Sequence, residues 1–334
     1  MKKRKDQKPK TKERIDNSFL KNSDEIHTSV LLAETIGLLE PKRGGIFVDC
    51  TLGLGGHTET ILQTYENVQV IGIDQDLEAI AFAKERLAKF GDRFQVYHAN
   101  FSEIAEVLDE AKIDKVDGVL ADLGVSSLQL DSESRGFSFR FDAPLDMRMN
   151  PDSEDETAAE LLSTLSEFEI ARIIYEYGEE RFSRRIARRI VEKRERGESP
   201  QTTKELADLV AKSVPFNKKD RIHPATKTFQ ALRIAVNREL EVLESFLRSA
   251  IDKLNIDGRL AVISFHSLED RIVKRTLNKM SGKCECAPSF PICVCGAEKW
   301  VEILTRKPVV PTDSEIGSNP RARSAKLRAC QKLI

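Results

Sequence analysis

The stretch Gly45-Ile-Phe-Val-Asp-Cys-Thr-Leu-Gly-Leu-Gly-Gly-His57 organises the chain. A short apolar run ends in Asp49, and Gly53, Gly55 and Gly56 follow closely. It reads as a buried strand that feeds a tight turn and then a helix beginning near Thr58. Glycines at such a turn permit positive φ and let backbone N–H groups approach a ligand.

The flanking sequence repeats the same unit. Folded structure is expected from near His27. Val30, Leu31, Leu32, Ile36 and Leu39 recur at helical spacing, and Pro41 closes that helix. Val68–Asp74 predicts a second strand, Leu77–Phe90 a helix, Phe94–His98 a third strand, Phe101–Lys112 a helix and Val116–Asp122 a fourth strand. Strand and helix alternate over short connections, which predicts a doubly wound parallel sheet. From Leu130 to about Asn217 the alternation stops, leaving loop-like and helical patterns rich in Glu and Arg. It resumes with one long helix over Ala225–Leu254 and a strand over Arg259–Phe265. Trp300–Thr305 and Ser324–Cys330 predict a closing antiparallel pair. The expected architecture is an α/β, Rossmann-like domain over 23–130 and 222–334, with an inserted helical domain over 131–221 and a basic tail over 1–22.

Bulk composition narrows the function classes. Lys+Arg 53 against Asp+Glu 54 leaves a net charge of -1, so any nucleic-acid signal must be local. No apolar run approaches the roughly 20 residues of a membrane span. The N-terminus is basic without a signal peptide's apolar core, which points to a cytoplasmic protein. Six cysteines in 334 residues do not make a disulfide scaffold. The Lys-rich tail suits either a solubilising segment or an arm attracted to RNA.

Two ligand classes fit a strand, a glycine turn and a distal acid. A dinucleotide sets its pyrophosphate on a helix N-terminus after G-x-G-x-x-G/A, but here Thr58 stands at the third small position. S-adenosylmethionine carries an ammonium, a carboxylate, a sulfonium and a ribose diol. Asp49 suits its cationic end, Asp74 is placed for the ribose hydroxyls, and Asp122, a third acid, ends the fourth strand on the same sheet edge. Three acids favour a cationic cofactor and oppose a pyrophosphate.

Longer motifs carry a resemblance. They are His27-Thr-Ser-Val-Leu-Leu, Asp49-Cys-Thr-Leu-Gly-Leu-Gly-Gly-His57, Asp122-Leu-Gly-Val-Ser-Ser127, Arg135-Gly-Phe-Ser-Phe139 and Pro144-Leu-Asp-Met-Arg-Met149. Tyr177-Gly-Glu-Glu-Arg-Phe182, the run from His223 to Arg233, Ser264-Phe-His-Ser-Leu-Glu-Asp-Arg271 and Asn319-Pro-Arg-Ala-Arg-Ser324 continue them. From about His27 to the C-terminus the chain resembles the bacterial small-subunit (16S) ribosomal RNA cytosine-N4 methyltransferases, the RsmH/MraW family. The resemblance implies a Rossmann-like S-adenosylmethionine-dependent methyltransferase sheet and transfer of a methyl group to the exocyclic amine of one decoding-centre cytidine. It implies a cofactor site in which Gly55, Gly56 and His57 line the methionine end, Asp74 takes the ribose, Phe101 and Asp122 flank the adenine, and Gln129 closes the pocket. The partner it implies is small-subunit ribosomal RNA or the assembled small subunit. Competing readings are a non-catalytic ribosome-assembly factor, which needs no intact cofactor pocket, and a nicotinamide-dependent oxidoreductase.

A cytosine amine is a weak nucleophile because its lone pair is delocalised, so positioning should dominate catalysis. Asp146 and His266 are the candidates for receiving its hydrogens. His266 alternatively caps the helix at Ser267, and Asp146 alternatively fixes its loop. Phe137, Phe139 and Phe141 suit stacking on a splayed base or the buried face of a strand. Arg181, Arg184, Arg185, Arg188 and Arg189 recur at helical spacing. They form either an RNA-phosphate face or a solvated surface paired with Glu179, Glu180 and Glu192. Cys284, Cys286, Cys293 and Cys295 offer four thiolates to a structural zinc, or form a reduced loop.

Overall fold

The computed structural model describes residues 29–215, 223–284, 286, 292, 294 and 298–334. The basic tail and residues 23–28 lie outside these. Among the described residues one sheet carries β1 (Gly45–Asp49), β2 (Val68–Asp74), β3 (Phe94–His98), β4 (Val116–Asp122), β5 (Leu254–Ser264), β6 (Val301–Ile303) and β7 (Lys326–Lys332). The strand order is β3-β2-β1-β4-β5-β7-β6. The first five strands are parallel, and β7 runs antiparallel to both β5 and β6. The expected doubly wound sheet and its closing antiparallel strands are both present. Strand order reverses between β1 and β4, and ligands bind at such a switch point.

The helices around the sheet are α1 (Leu32–Leu39), α2 (Gly56–Thr64), α3 (Leu77–Leu87), α4 (Ile104–Glu110) and α5 (Ser127–Asp131). α6 (Ala158–Thr164), α7 (Glu167–Glu176), α8 (Ser183–Glu195) and α9 (Thr203–Ser213) follow within the insertion. α10 (Thr226–Asn237), α11 (Glu239–Asp252), α12 (Ser267–Met280) and α13 (Asp313–Ser318) complete the chain. Within the insertion, Thr157 with Glu160, Ser166 with Glu169 and Thr202 with Glu205 form capping boxes. These reciprocal bonds satisfy the first orphan N–H groups and set where α6, α7 and α9 begin.

Alternation along β1 sends Phe47 and Val48 into separate cores on the two sheet faces. A further core belongs to the helices after β4: Phe137, Leu145, Met147 and Leu162 pack with Ile170, Ile174, Ile186, Ile190 and Leu206. α10, which lies after the expected boundary at 221, sends Phe229, Leu232 and Val236 into this same core. Ile186 and Ile190 are fully buried, four residues apart on α8. Each contributes about 2 kcal/mol from burial, and the stripe turns the arginines at 184, 185, 188 and 189 outward.

Three local expectations are corrected. The long helix predicted over Ala225–Leu254 is two helices, because Arg238 adopts a left-handed backbone (φ 50°) between α10 and α11. Asn237 anchors the break: its side chain donates to the carbonyl of Met147 and accepts from the N–H of Met149, both at 2.8 Å. The Phe101–Lys112 helix opens with a 3-10 turn over Phe101–Glu103 before α4. Phe137, Phe139 and Phe141 do not lie on a strand. Phe137 is buried in the helical core, and Phe139 packs on Phe229 with ring centroids 5.0 Å apart.

Candidate functional site

The glycine turn is built from its own acids. Gly55 holds φ 76° as the residue before α2, a backbone conformation that favours glycine. Gly53 donates its N–H to Asp74 Oδ2 at 2.7 Å, so the end of β2 fixes the turn after β1. Asp49 accepts from the N–H of Thr51 (3.3 Å) and the hydroxyl of Thr58 (2.8 Å). Thr58, the residue that breaks the dinucleotide pattern, is thus the donor that keeps a buried carboxyl satisfied. Burial pushes the pKa of Asp49 up to about 6 despite those bonds.

A cavity of about 400 Å³ opens over the carboxyl ends of β1, β2 and β4, a size typical of small-molecule sites. Gly56, His57, Asp74, Phe101, Asp122 and Gln129 all line it. Gly55 does not; it shapes the turn one step behind. Asp49 also stands behind the wall, so it supports the turn and does not meet a cationic ligand directly.

Asp74 receives the N–H groups of Gly53 and Asp76 (2.9 Å) and keeps further lone pairs for a diol. Burial raises its pKa to about 6 as well. His57 lies with Nε2 3.2 Å from the carbonyl of Val30. Phe101 meets Phe246 edge-on at 5.0 Å while facing the cavity, so it is both core aromatic and lining residue. Gln129 spends its amide on Asp76 Oδ2 (2.8 Å) and its carbonyl on the N–H of Ser126 (3.0 Å).

Strand order places two of the lining residues on different elements. Phe101 follows β3 and Asp122 ends β4, with β2 and β1 between them. Both line the cavity, Phe101 from the 3-10 turn after β3 and Asp122 from the end of β4.

Neither candidate acceptor lines the cavity. Asp146 is locked by Arg148, whose Nε and Nη2 reach its two oxygens at 2.8 and 2.9 Å. This pair fixes the Pro144–Met149 loop, the structural alternative for that residue. His266 is the residue before α12; its Nδ1 accepts from the N–H of Glu269 at 3.4 Å, and its Nε2 lies 3.1 Å from Glu269 Oε1. Its capping alternative is therefore realised in the structure.

Several residues of the site have no role that spacing along the chain assigns. Glu239, His266 and Glu269 bring ligand atoms within 4.8 Å of one another. Arg233 already neutralises Glu239 through Nε and Nη2 at 2.8 and 2.9 Å. Arg135, nine-tenths buried, donates to Asp76 Oδ2 at 2.9 Å and to the carbonyls of Arg148 and Met149. It ties the insertion to Asp76, two residues beyond Asp74. Gly136 next to it has φ 74°, and a Cβ there would meet the Pro144 carbonyl at 2.5 Å. Arg135, Arg233 and Glu269 all lie inside the long motifs, the one signal that singles them out.

The five candidate RNA-binding arginines are exposed. Arg188 approaches Glu167 at 3.7 Å and Arg189 approaches Glu192 at 3.2 Å, while Arg181 lies over the Phe182 ring. Among the described residues no carboxylate pairs with Arg184 or Arg185. Of the expected partners, Glu179 instead binds Ser267 and Arg271, and buried Glu180 accepts the N–H of Phe182. In the cysteine cluster Cys284 is exposed and Cys286 half-buried, while Cys293 and Cys295 lie outside the described residues. No helix among the described residues is long and apolar enough to cross a membrane.

Comparison with known proteins agrees with this geometry. Residues 24–333 match the model of the MraW methylase family. The chain is 52% identical over 309 residues to the ribosomal RNA small subunit methyltransferase H of Clostridium botulinum (strain Loch Maree / Type A3), covering 92% of this chain and 99% of that one. It is 52% identical over 314 residues to the protein of the same name from Geotalea uraniireducens (strain Rf4), covering 93% and 100%. A solved ribosomal RNA methylase from Streptococcus thermophilus aligns over 91% of this chain and 94% of its own, with a TM-score of 0.39 and 10% identity. The sheet is the Rossmann-like sheet of S-adenosylmethionine-dependent methyltransferases, and with residues 24–333 matched end to end the chain belongs to the MraW methylase family.

Proposed function

We propose that the chain transfers the methyl group of S-adenosylmethionine to small-subunit ribosomal RNA, at the N4 amine of a decoding-centre cytidine. The observation that carries the reading is the cavity itself. Half-buried acids end β2 and β4 along one edge, and a glycine turn lies between them, an environment that attracts a cationic cofactor and repels a pyrophosphate. When bound, the cofactor supplies an electrophilic methyl group on sulfur. Asp74 would hold its ribose, Phe101 would face the adenine, and Gly56 and His57 would line the methionine end.

Three further features support an RNA substrate at the cytidine amine. The relatives at 52% identity carry the name of a small-subunit ribosomal RNA methyltransferase. The exposed arginines of α8 give a neutral chain a local phosphate-binding face. The long motifs resemble those of cytosine-N4 methyltransferases, whose target base must leave any stack to reach the methyl group.

The test is incubation with labelled S-adenosylmethionine and either free small-subunit RNA or assembled subunits, followed by nucleoside analysis. Label in N4-methylcytidine is expected, and the better-labelled arm identifies the substrate form. Label in neither would overturn the reading. A structural zinc on Cys284, Cys286, Cys293 and Cys295 is a separate proposal. It is supported by the N–H of Cys286 at 3.4 Å from Cys284 Sγ, a bond that favours a thiolate. Metal analysis of protein purified without chelator should find one zinc per chain, and none would remove the proposal.

A further inference from the structure

We infer that Phe168 and Tyr175 of α7 form a stacking platform for unpaired bases of the RNA substrate. This rests on the reading of the chain as an RNA methyltransferase and goes beyond it by naming what the insertion grips besides phosphate.

The two rings are the first observation. α7 buries Ile170, Ala171 and Ile174 in the helical core, yet Phe168 is 74% exposed and Tyr175 63%. They stand seven residues apart on one helix, so both lie on one outward face, about 10 Å from each other along the axis. Arg172, also exposed, is four residues after Phe168 and three before Tyr175, and shares that face. Neither ring belongs to the helical core. The phenylalanines whose spacing suggested stacking are engaged elsewhere: Phe137 is buried, and Phe139 packs on Phe229.

Charge selects the partner. Arg188 of α8 reaches Glu167, the residue before Phe168, at 3.7 Å, so the arginine face of α8 borders the start of α7. Rings interleaved with guanidinium groups suit a polyanion that also presents flat apolar surfaces, and single-stranded RNA is such a molecule. An apolar protein surface would strip water from these cations without supplying their counter-charge.

Position is the third observation. Past the end of α7, Glu179 accepts a hydrogen bond from the Ser267 hydroxyl at 2.7 Å and pairs with Arg271 at 3.1 Å. Ser267 opens α12, two residues after Phe265 in the cavity wall. The aromatic face therefore runs outward from the rim of the cavity, where nucleotides flanking a base held inside would leave it. Every base has a π-face, so these rings grip the strand without reading its sequence and leave the choice of base to the cavity.

The experiment titrates wild type, Phe168→Ala, Tyr175→Ala and the double variant with free small-subunit RNA and with assembled subunits, over a series of salt concentrations. Each single variant should raise the RNA Kd at least about fivefold, the lower end for loss of one base stack. The slope of log Kd against log salt should stay at the wild-type value, because no phosphate contact is lost. Cofactor Kd and Tm should not change, since both rings lie outside the core and the cavity. Phe168→Leu keeps apolar area without the ring and should weaken binding as Phe168→Ala does, while Phe168→Tyr should bind as wild type does. A double variant within about twofold of the wild-type Kd would overturn the assignment. So would full affinity in Phe168→Leu, which would make the face a plain apolar contact. A loss confined to assembled subunits would give the face to a protein partner and overturn it as well. A wild type that binds neither form sinks the parent reading and this inference with it, whereas ring variants at wild-type affinity sink this inference alone.

Discussion

Thr58 shows how one hydroxyl sets the character of the site. A third glycine or alanine at this position would suit a pyrophosphate, but Thr58 donates to Asp49 at 2.8 Å and keeps that carboxyl in place behind the turn. Thr58→Val keeps the shape and removes the donor. It should destabilise the protein by about 1–3 kcal/mol, the cost of an unmet buried acceptor, measured by urea unfolding. An unchanged midpoint would mean that the bond contributes nothing. The same scale separates Asp122 from its neighbours: several acids share the cavity, and hydrogen-bond partners alone distinguish the one with a free oxygen.

At the scale of elements, α8 divides its two faces cleanly. Ile186 and Ile190 are buried in the helical core, and the arginines of the same helix face solvent. Arg184 and Arg185 lack carboxylate partners among the described residues, which leaves their full charge for phosphate. Reversing both to Glu should weaken RNA binding and lower the slope of log Kd against log salt by about 1 for each phosphate no longer neutralised. The cofactor Kd should not change. RNA affinity and salt slope equal to wild type would remove α8 from the interface. The break at Arg238 acts at this scale as well. It ends α10 in the helical core, starts α11 on the sheet, and brings Glu239 back onto Arg233.

At the scale of the whole molecule, buried charge ties the helical core to the sheet domain. Arg135 links the insertion to Asp76, two residues beyond Asp74, and Arg135→Leu should cost about 3–5 kcal/mol because Asp76 would lose its buried charge partner and keep the neutral amide of Gln129. Thermal unfolding tests this, and a Tm equal to wild type would show that the pair is dispensable. The raised carboxyls also set a pH response. Asp49 and Asp74 have folded pKa values near 6, above their unfolded values, so the folded state binds protons more tightly. Their stabilising contribution is complete below the ordinary carboxylate range and is lost as pH rises through about 6. The cofactor-free protein should therefore lose Tm between about pH 5 and about pH 7, where other carboxylates have finished titrating. S-adenosylmethionine, a cation that favours the ionised acids, should raise Tm more at about pH 7 than at about pH 5. A cofactor-induced shift independent of pH would contradict the proposed electrostatics.

The sequence alone determined the sheet, the glycine turn, the acid-ended strands β2 and β4, and the family. These depend on short-range physics: alternation of two and 3.6, glycine conformational freedom, and motifs read in order. Tertiary structure decided which side chains remain available. Asp146 and His266 were legible as candidates, but Arg148 binds the first and the second caps α12, and neither lines the cavity. Asp76 gains Gln129 from 53 residues away and Arg135 from 59. Hydrogen-bond satisfaction is a long-range property, set by which distant segments the fold brings within about 3 Å. Spacing along the chain could place Asp122 at a strand end; only the packed neighbours leave its oxygen free.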